Sequence, residues 1–179
     1  MSNPFVIPVG DIPNGSLERI SNSGPSPVRW GGQMLAVEEG TTVDVEATVN
    51  NLGEAFMVQA TVFGEAHGTC ARCLRSLNPQ LKVSISEVFG TTPDFIQGDE
   101  GDDDEEPPLV VDNSVDISQS VLDEAGLNAP FSPSCDDFHL DCEEDTPVPD
   151  GVLEEQSEDV DRIDPRWAGL EKFKDLKGE

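Results

Sequence analysis

Four cysteines, Cys70, Cys73, Cys135 and Cys142, are the residues of this 179-residue chain best suited to chemistry. Cys70 and Cys73 stand two residues apart in Gly68-Thr69-Cys70-Ala71-Arg72-Cys73-Leu74, and such a turn presents two thiolates to one ion. Zinc takes soft or borderline ligands in a tetrahedron, and Cys135 and Cys142 would complete a four-thiolate set. The second pair has six intervening residues, wider than the usual knuckle, and 61 residues separate Cys73 from Cys135. His139 falls inside the second pair and is a substitute for one ligand. The alternative is four reduced, unligated thiols in small apolar niches, and the residues alone leave both readings open. A thioredoxin-like redox pair fits poorly. Such pairs open a helix after a strand, whereas Asn78-Pro79 and an alternating run follow here.

No other residues form a catalytic set. His67 has no identifiable nucleophile beside it in sequence. The carboxylates are many, but paired catalytic carboxylates need an apolar pocket that separates their pKa values, and most of these lie in low-complexity runs. No Gly-rich phosphate loop follows a predicted strand. Ten Lys and Arg against 37 Asp and Glu leave a net charge of −27. That balance opposes direct binding to a phosphate backbone or an anionic lipid surface, and favours basic protein partners. No apolar run is long enough to span a bilayer, and the start of the chain lacks the pattern of a secretory signal. A cytoplasmic protein with reduced thiols is expected, so a disulfide is the less natural use of the cysteines.

The cysteine turn must be positioned by strands. Val43, Val45, Ala47 and Val49 alternate with polar residues, as do Phe56, Val58, Ala60 and Val62, and then Leu81, Val83, Ile85 and Phe89. Met34 to Val37 predicts a preceding strand, and Phe5 to Ile7 an edge strand between two prolines. Residues 16–20 are unassigned by periodicity, and Ser21 to Pro27 reads as a loop. A helix is expected from about Ile117 to Ala125, capped by Asp116 or Ser118, stopped by Gly126 and lying as a lid on the sheet. The run Asp99 to Glu106 is acidic at all but one position, and 143–161 is again acidic, so both are expected to be disordered. Asp164-Pro165 opens a short C-terminal helix, with Trp167, Leu170 and Phe173 on an apolar ridge. That ridge serves either packing or partner docking.

The order of these features resembles the YceD family, the large ribosomal RNA subunit accumulation proteins. The residues that carry the likeness are the Cys70-x-Arg72-Cys73 turn between two strands and the acidic insert after the third strand. They continue with Val115-Asp116-Ile117 at a helix start, and Pro130, Pro133 and Cys135 beyond it. The ending Asp164-Pro165-Arg166-Trp167-Ala168-Gly169-Leu170 is similar to that of actinobacterial members. Many members carry a longer cysteine-rich run after the helix, whereas this chain has His139 at one such place and lacks the final Cys-Gly. The resemblance implies a role in accumulation, processing or stability of large-subunit (23S) ribosomal RNA. Members are often encoded beside a small zinc-ribbon protein of the large subunit.

Taken together, an α+β fold is expected, mainly an antiparallel β-meander or partial barrel with a few short helices. One β-rich domain would span 1–142 with a disordered insert at about 94–113, followed by an acidic linker 143–161 and a short helix within 162–179. The expected function is that of a non-enzymatic accessory factor in large-subunit ribosome biogenesis. Its partner would be a basic ribosomal protein or assembly factor, with an indirect link to ribosomal RNA and none to DNA or membrane. An RNA-processing enzyme and a zinc-dependent regulatory protein are the alternatives. The first lacks a catalytic set, and the second lacks a basic recognition helix.

Overall fold

A computed structural model of the chain describes residues 3–93, 95 and 108–142. The acidic run 99–106, the linker 143–161 and the C-terminal ridge of Trp167, Leu170 and Phe173 lie outside the described residues. In chain order the strands are β1 (Val6–Pro8), β2 (Leu17–Pro25), β3 (Trp30–Gly31), β4 (Leu35–Val37), β5 (Thr42–Asn51), β6 (Ala55–Glu65), β7 (His67–Thr69), β8 (Ser76–Leu77), β9 (Gln80–Gly90) and β10 (Ser114–Asp116). Helix α1 (Ser118–Asn128) follows, then a single 3-10 turn at Asp136–Phe138.

The larger sheet has the order β2-β5-β6-β9, the smaller β3-β4-β7-β8, and β1 pairs with β10 alone. All these pairings are antiparallel, so the class is α+β and mostly β. The larger sheet ends at β2 and β9 rather than closing into a barrel. Period-two alternation sets its two faces. Val43, Val45, Ala47, Val49, Val58, Ala60, Val62, Val83 and Ile85 all point to the core. Each fully buried valine contributes on the order of 1.5–3 kcal/mol. Helix α1 covers this core beside β9 and β3, burying Val121 and Ala125. The hydroxyl of Ser120 donates to the Glu87 carboxylate on β9 and pins the helix there.

Three local expectations are corrected. Residues 17–25 form β2, not a loop preceded by an unassigned segment. An edge strand without apolar alternation leaves no periodic signal, and β2 is held by backbone pairing to β5 and by Asn22, whose amide donates to the carbonyls of Pro4 and Val6. Helix α1 runs past Gly126 to Asn128. It ends where Pro130 forces Ala129 into an extended conformation. The N-cap is Ile117, without a side-chain cap, rather than Asp116 or Ser118; Asp116 stands one residue before it and accepts from the Ser118 amide at 2.9 Å. Residues 108–113, assigned to the disordered insert, are ordered: the Gly90 amide donates to Pro108 O and the Val110 amide to Gly90 O, both at 2.9 Å.

The feature that matters most for the cysteines is one long hairpin. The pairing of Ala55 with Gly90 runs unbroken to Glu65 with Gln80 on β6 and β9. The same register resumes as Gly68 with Leu77 and Thr69 with Ser76 on β7 and β8. It closes with the Cys70 amide donating to Arg75 O at 2.9 Å. The hairpin thus leaves the larger sheet, enters the smaller one, and carries residues 70–75 at its tip. Strand β4 packs against it where only glycine fits, since a Cβ on Gly68 would lie 2.3 Å from Met34 O.

Candidate metal centre

The hairpin tip supplies half of the site. Cys70 ends the ladder, and the chain turns tightly enough for the Leu74 amide to donate to Cys70 O at 3.0 Å. This turn holds Leu74 at φ 61°, a left-handed conformation that a side chain as large as leucine rarely adopts. The Arg72 amide donates to Cys70 Sγ at 3.4 Å.

The other half arrives from beyond α1. The Ala71 amide donates to Pro133 O at 2.7 Å, which docks the segment before Cys135 onto the tip. The 3-10 turn then reverses the chain. Within it the Asp137 carboxylate reaches back to accept from the Ser134 amide and hydroxyl. His139 follows in a left-handed conformation, and the Leu140 amide donates to Cys135 O at 2.9 Å. That fold-back brings Cys142 to the site across the six-residue gap. Arg75 at the tip donates to Asp141 O at 3.1 Å and holds the returning strand.

The four sulfurs lie within 4.8 Å of one another. Cys70 Sγ stands 3.9 Å from Cys142 Sγ, and Cys73 Sγ 3.6 Å from Cys135 Sγ. All four are free thiols. Zinc–sulfur bonds of about 2.3 Å in a tetrahedron place sulfurs about 3.8 Å apart, so the cluster is compatible with one zinc ion. Four thiolates fill a tetrahedron and leave no open position, which suits a structural rather than a catalytic ion. His139 is exposed and outside this group, which corrects its assignment as a substitute ligand.

The thiols differ in acidity. Burial pushes the Cys70 thiol up, but amides of Cys73, Arg72 and Cys135 outweigh it and bring the pKa down to about 6. Cys135 is pushed up to about 12 by burial and then by its neighbouring thiols. Cys142 is also raised, again by burial first. One sulfur is therefore ready as a thiolate near neutral pH, while at least two others must shed a proton to bind metal.

Elsewhere the chemistry is sparse. His67 is exposed, its Nδ1 2.9 Å from Asn78 Oδ1. An open depression of about 590 Å³ crosses the larger sheet, lined by residues of β2, β5, β6 and β9 that include Arg19 and Glu46 but no thiol or imidazole. Lys82 sits on β9 opposite Phe63, separated from Arg72 and Arg75 by β8 and the Asn78–Pro79 step. Among the described residues no helix is long and apolar enough to cross a membrane. Leu74 and Arg75 are structural contributors that sequence reasoning missed. Only their place directly after a Cys-x-x-Cys turn hinted at the role.

A family model described as large ribosomal RNA subunit accumulation protein YceD matches residues 58–174. The chain is 33% identical over 159 residues to an uncharacterised protein of Mycobacterium tuberculosis, covering 87% of this chain and 73% of that one. An uncharacterised protein of Mycobacterium bovis matches equally well. One from Mycobacterium leprae is 28% identical over 174 residues, covering 92% and 74%. No solved structure matches the chain significantly.

Proposed function

The chain belongs to the YceD family of large ribosomal RNA subunit accumulation proteins, and on that premise we propose that it is a non-enzymatic accessory factor in large-subunit ribosome biogenesis. The observation that carries this reading is the family match itself, which spans the hairpin tip, the acidic insert, α1 and all four cysteines. The site supports a structural role. A zinc ion held by Cys70, Cys73, Cys135 and Cys142 would fasten the hairpin tip to the segment after α1. Such a closed four-thiolate site supports a reading in which the protein binds rather than breaks bonds. The protein would act in the cytoplasm, where ribosomes are assembled.

Charge decides how such a protein reaches ribosomal RNA. At −27 it is repelled by bare RNA, whereas the basic proteins of the large subunit are attracted to it over long range. We therefore assign it a basic protein partner, with the acidic stretches 99–106 and 143–161 supplying attraction. The ridge of Trp167, Leu170 and Phe173 would supply an anchor. Depleting the protein from its own cells should lower the ratio of 23S to 16S ribosomal RNA, and the native chain should restore it. An unchanged ratio, or hydrolysis of ribosomal RNA by the pure protein, would overturn the reading.

A further inference from the structure

Large apolar side chains exposed one at a time are ordinary, but here they gather at one end of the fold. Among the described residues, five of the eight large exposed apolar side chains, Met34, Leu74, Leu127, Phe131 and Leu140, sit on segments around the cysteine site. Leu74 is 74% exposed at the hairpin tip, and Phe131 is 88% exposed two residues before Pro133, whose carbonyl binds the Ala71 amide. Leu140 follows the turn that folds back on Cys135. Met34 accepts from the Thr69 amide through its carbonyl, just below the tip. Leu127, 82% exposed, ends α1 close to Ala129 and Pro130, which abut Gly32 in the turn that leads to Met34.

The charge around this rim is mostly negative. Asp123 and Glu124 lie four and three residues before Leu127, one helical turn away. Asp136, Asp137 and Asp141 flank Leu140, against Arg72 and Arg75 at the tip. A second copy of the chain would bring −27 against −27, and a nucleic acid would bring phosphates to carboxylates. An apolar centre with an acidic surround instead complements a cationic polypeptide that carries an apolar anchor.

We propose that the rim formed by Leu74, Leu127, Phe131 and Leu140 is a docking surface for a lysine- or arginine-rich protein segment with apolar side chains. This rests on the basic-partner reading above and gives it a location. The apolar residues set residence time and specificity, while the carboxylates and the acidic stretches set the encounter rate. The cysteine cluster fixes the relative placement of Leu74, Phe131 and Leu140, so the surface exists only while the site is assembled.

Two synthetic peptides of equal lysine count, one alternating lysine with leucine and the other with serine, test this on the full-length protein purified with zinc and without chelator. At about 0.1 M salt the lysine–leucine peptide should bind about tenfold more tightly, the effect of burying one or two large apolar groups. The double substitution Leu127→Ser with Phe131→Ser changes only exposed side chains that take no part in the cysteine turn. It should bring the preference below about threefold, with zinc content and affinity for the lysine–serine peptide unchanged. Equal binding of both peptides by the native chain, or a preference that survives the substitutions, overturns the docking surface and leaves the basic-partner reading standing. Absence of binding by either peptide overturns both.

Discussion

The β5–β6–β9 ladder and the cysteine end are held together by different means. In the ladder, each strand buries alternate side chains and pairs its backbone with a neighbour along its length, so stability is spread over many equivalent contacts. At the cysteine end, segments up to 72 residues apart in sequence meet through a few hydrogen bonds, two left-handed residues and four sulfurs. Cys70 and Cys135 are fully buried there, yet Phe131 and Leu74 stand in solvent a few residues away. The ladder is redundant and tolerates small losses. The cysteine end depends on its sulfurs as a unit, and a single lost ligand should release it.

The largest effect should come from the metal. Chelation, or Cys73→Ser, is expected to leave zinc well below one per chain and to open the tip and the 133–142 segment to hydrogen exchange, while amides of 43–62 keep their protection. Uniform loss of protection would show that the two regions form one cooperative unit. The thiol acidities sharpen this. Cys135 and Cys142, raised above their ordinary range, are protonated at pH 7 in the metal-free chain. Zinc binding should therefore release at least two protons and weaken as pH falls, which calorimetry in buffers of different ionisation enthalpy measures.

A core truncation should act in the opposite pattern. Trp30 is fully buried between the two sheets, with its ring against the space where Gly64 has no Cβ. Trp30→Ala should cost about 3–5 kcal/mol and lower protection throughout the ladder together. A denaturant midpoint within error of the native chain would refute that account.

The smallest effect lies at Leu74. Its left-handed backbone costs on the order of 1–2 kcal/mol for a non-glycine residue, and Leu74→Gly removes that cost while adding some freedom to the unfolded chain. Stability should rise by up to about 1 kcal/mol, read as a higher melting temperature with zinc content unchanged. A lower melting temperature would mean that the leucine side chain stabilises the turn.

The same contrast explains what could be read from sequence. Strands β5, β6 and β9 declare themselves because Val43 to Val49, Phe56 to Val62 and Leu81 to Ile85 are each buried on one face, which imposes a period of two. Strand β2 is silent because it is an edge whose residues are mostly exposed, and backbone pairing needs no side-chain pattern. The Cys-x-x-Cys turn was legible as a loop between strands, and the hairpin confirms that position. The meeting of Cys135 and Cys142 with it, expected from the pairing of the cysteines, is what the structure shows; how the chain achieves it was not legible from spacing. It depends on the Pro133–Ala71 hydrogen bond and on His139 adopting a left-handed turn, and a ligand assignment for His139 mistook a turn residue for a donor.

The clamp at Gly90 has a consequence of its own. Its amide and carbonyl bind Pro108 and Val110, so the described chain on the two sides of residues 96–107 meets at one point. For a tethered polymer the closure entropy grows only as the logarithm of its length, about 0.6 kcal/mol for each doubling. With the two ends joined in this way, a change in the length or composition of the sequence between residues 95 and 108 should cost the fold little. Variants with residues 96–107 doubled, or replaced by a short glycine-serine bridge, should melt at nearly the same temperature as the native chain.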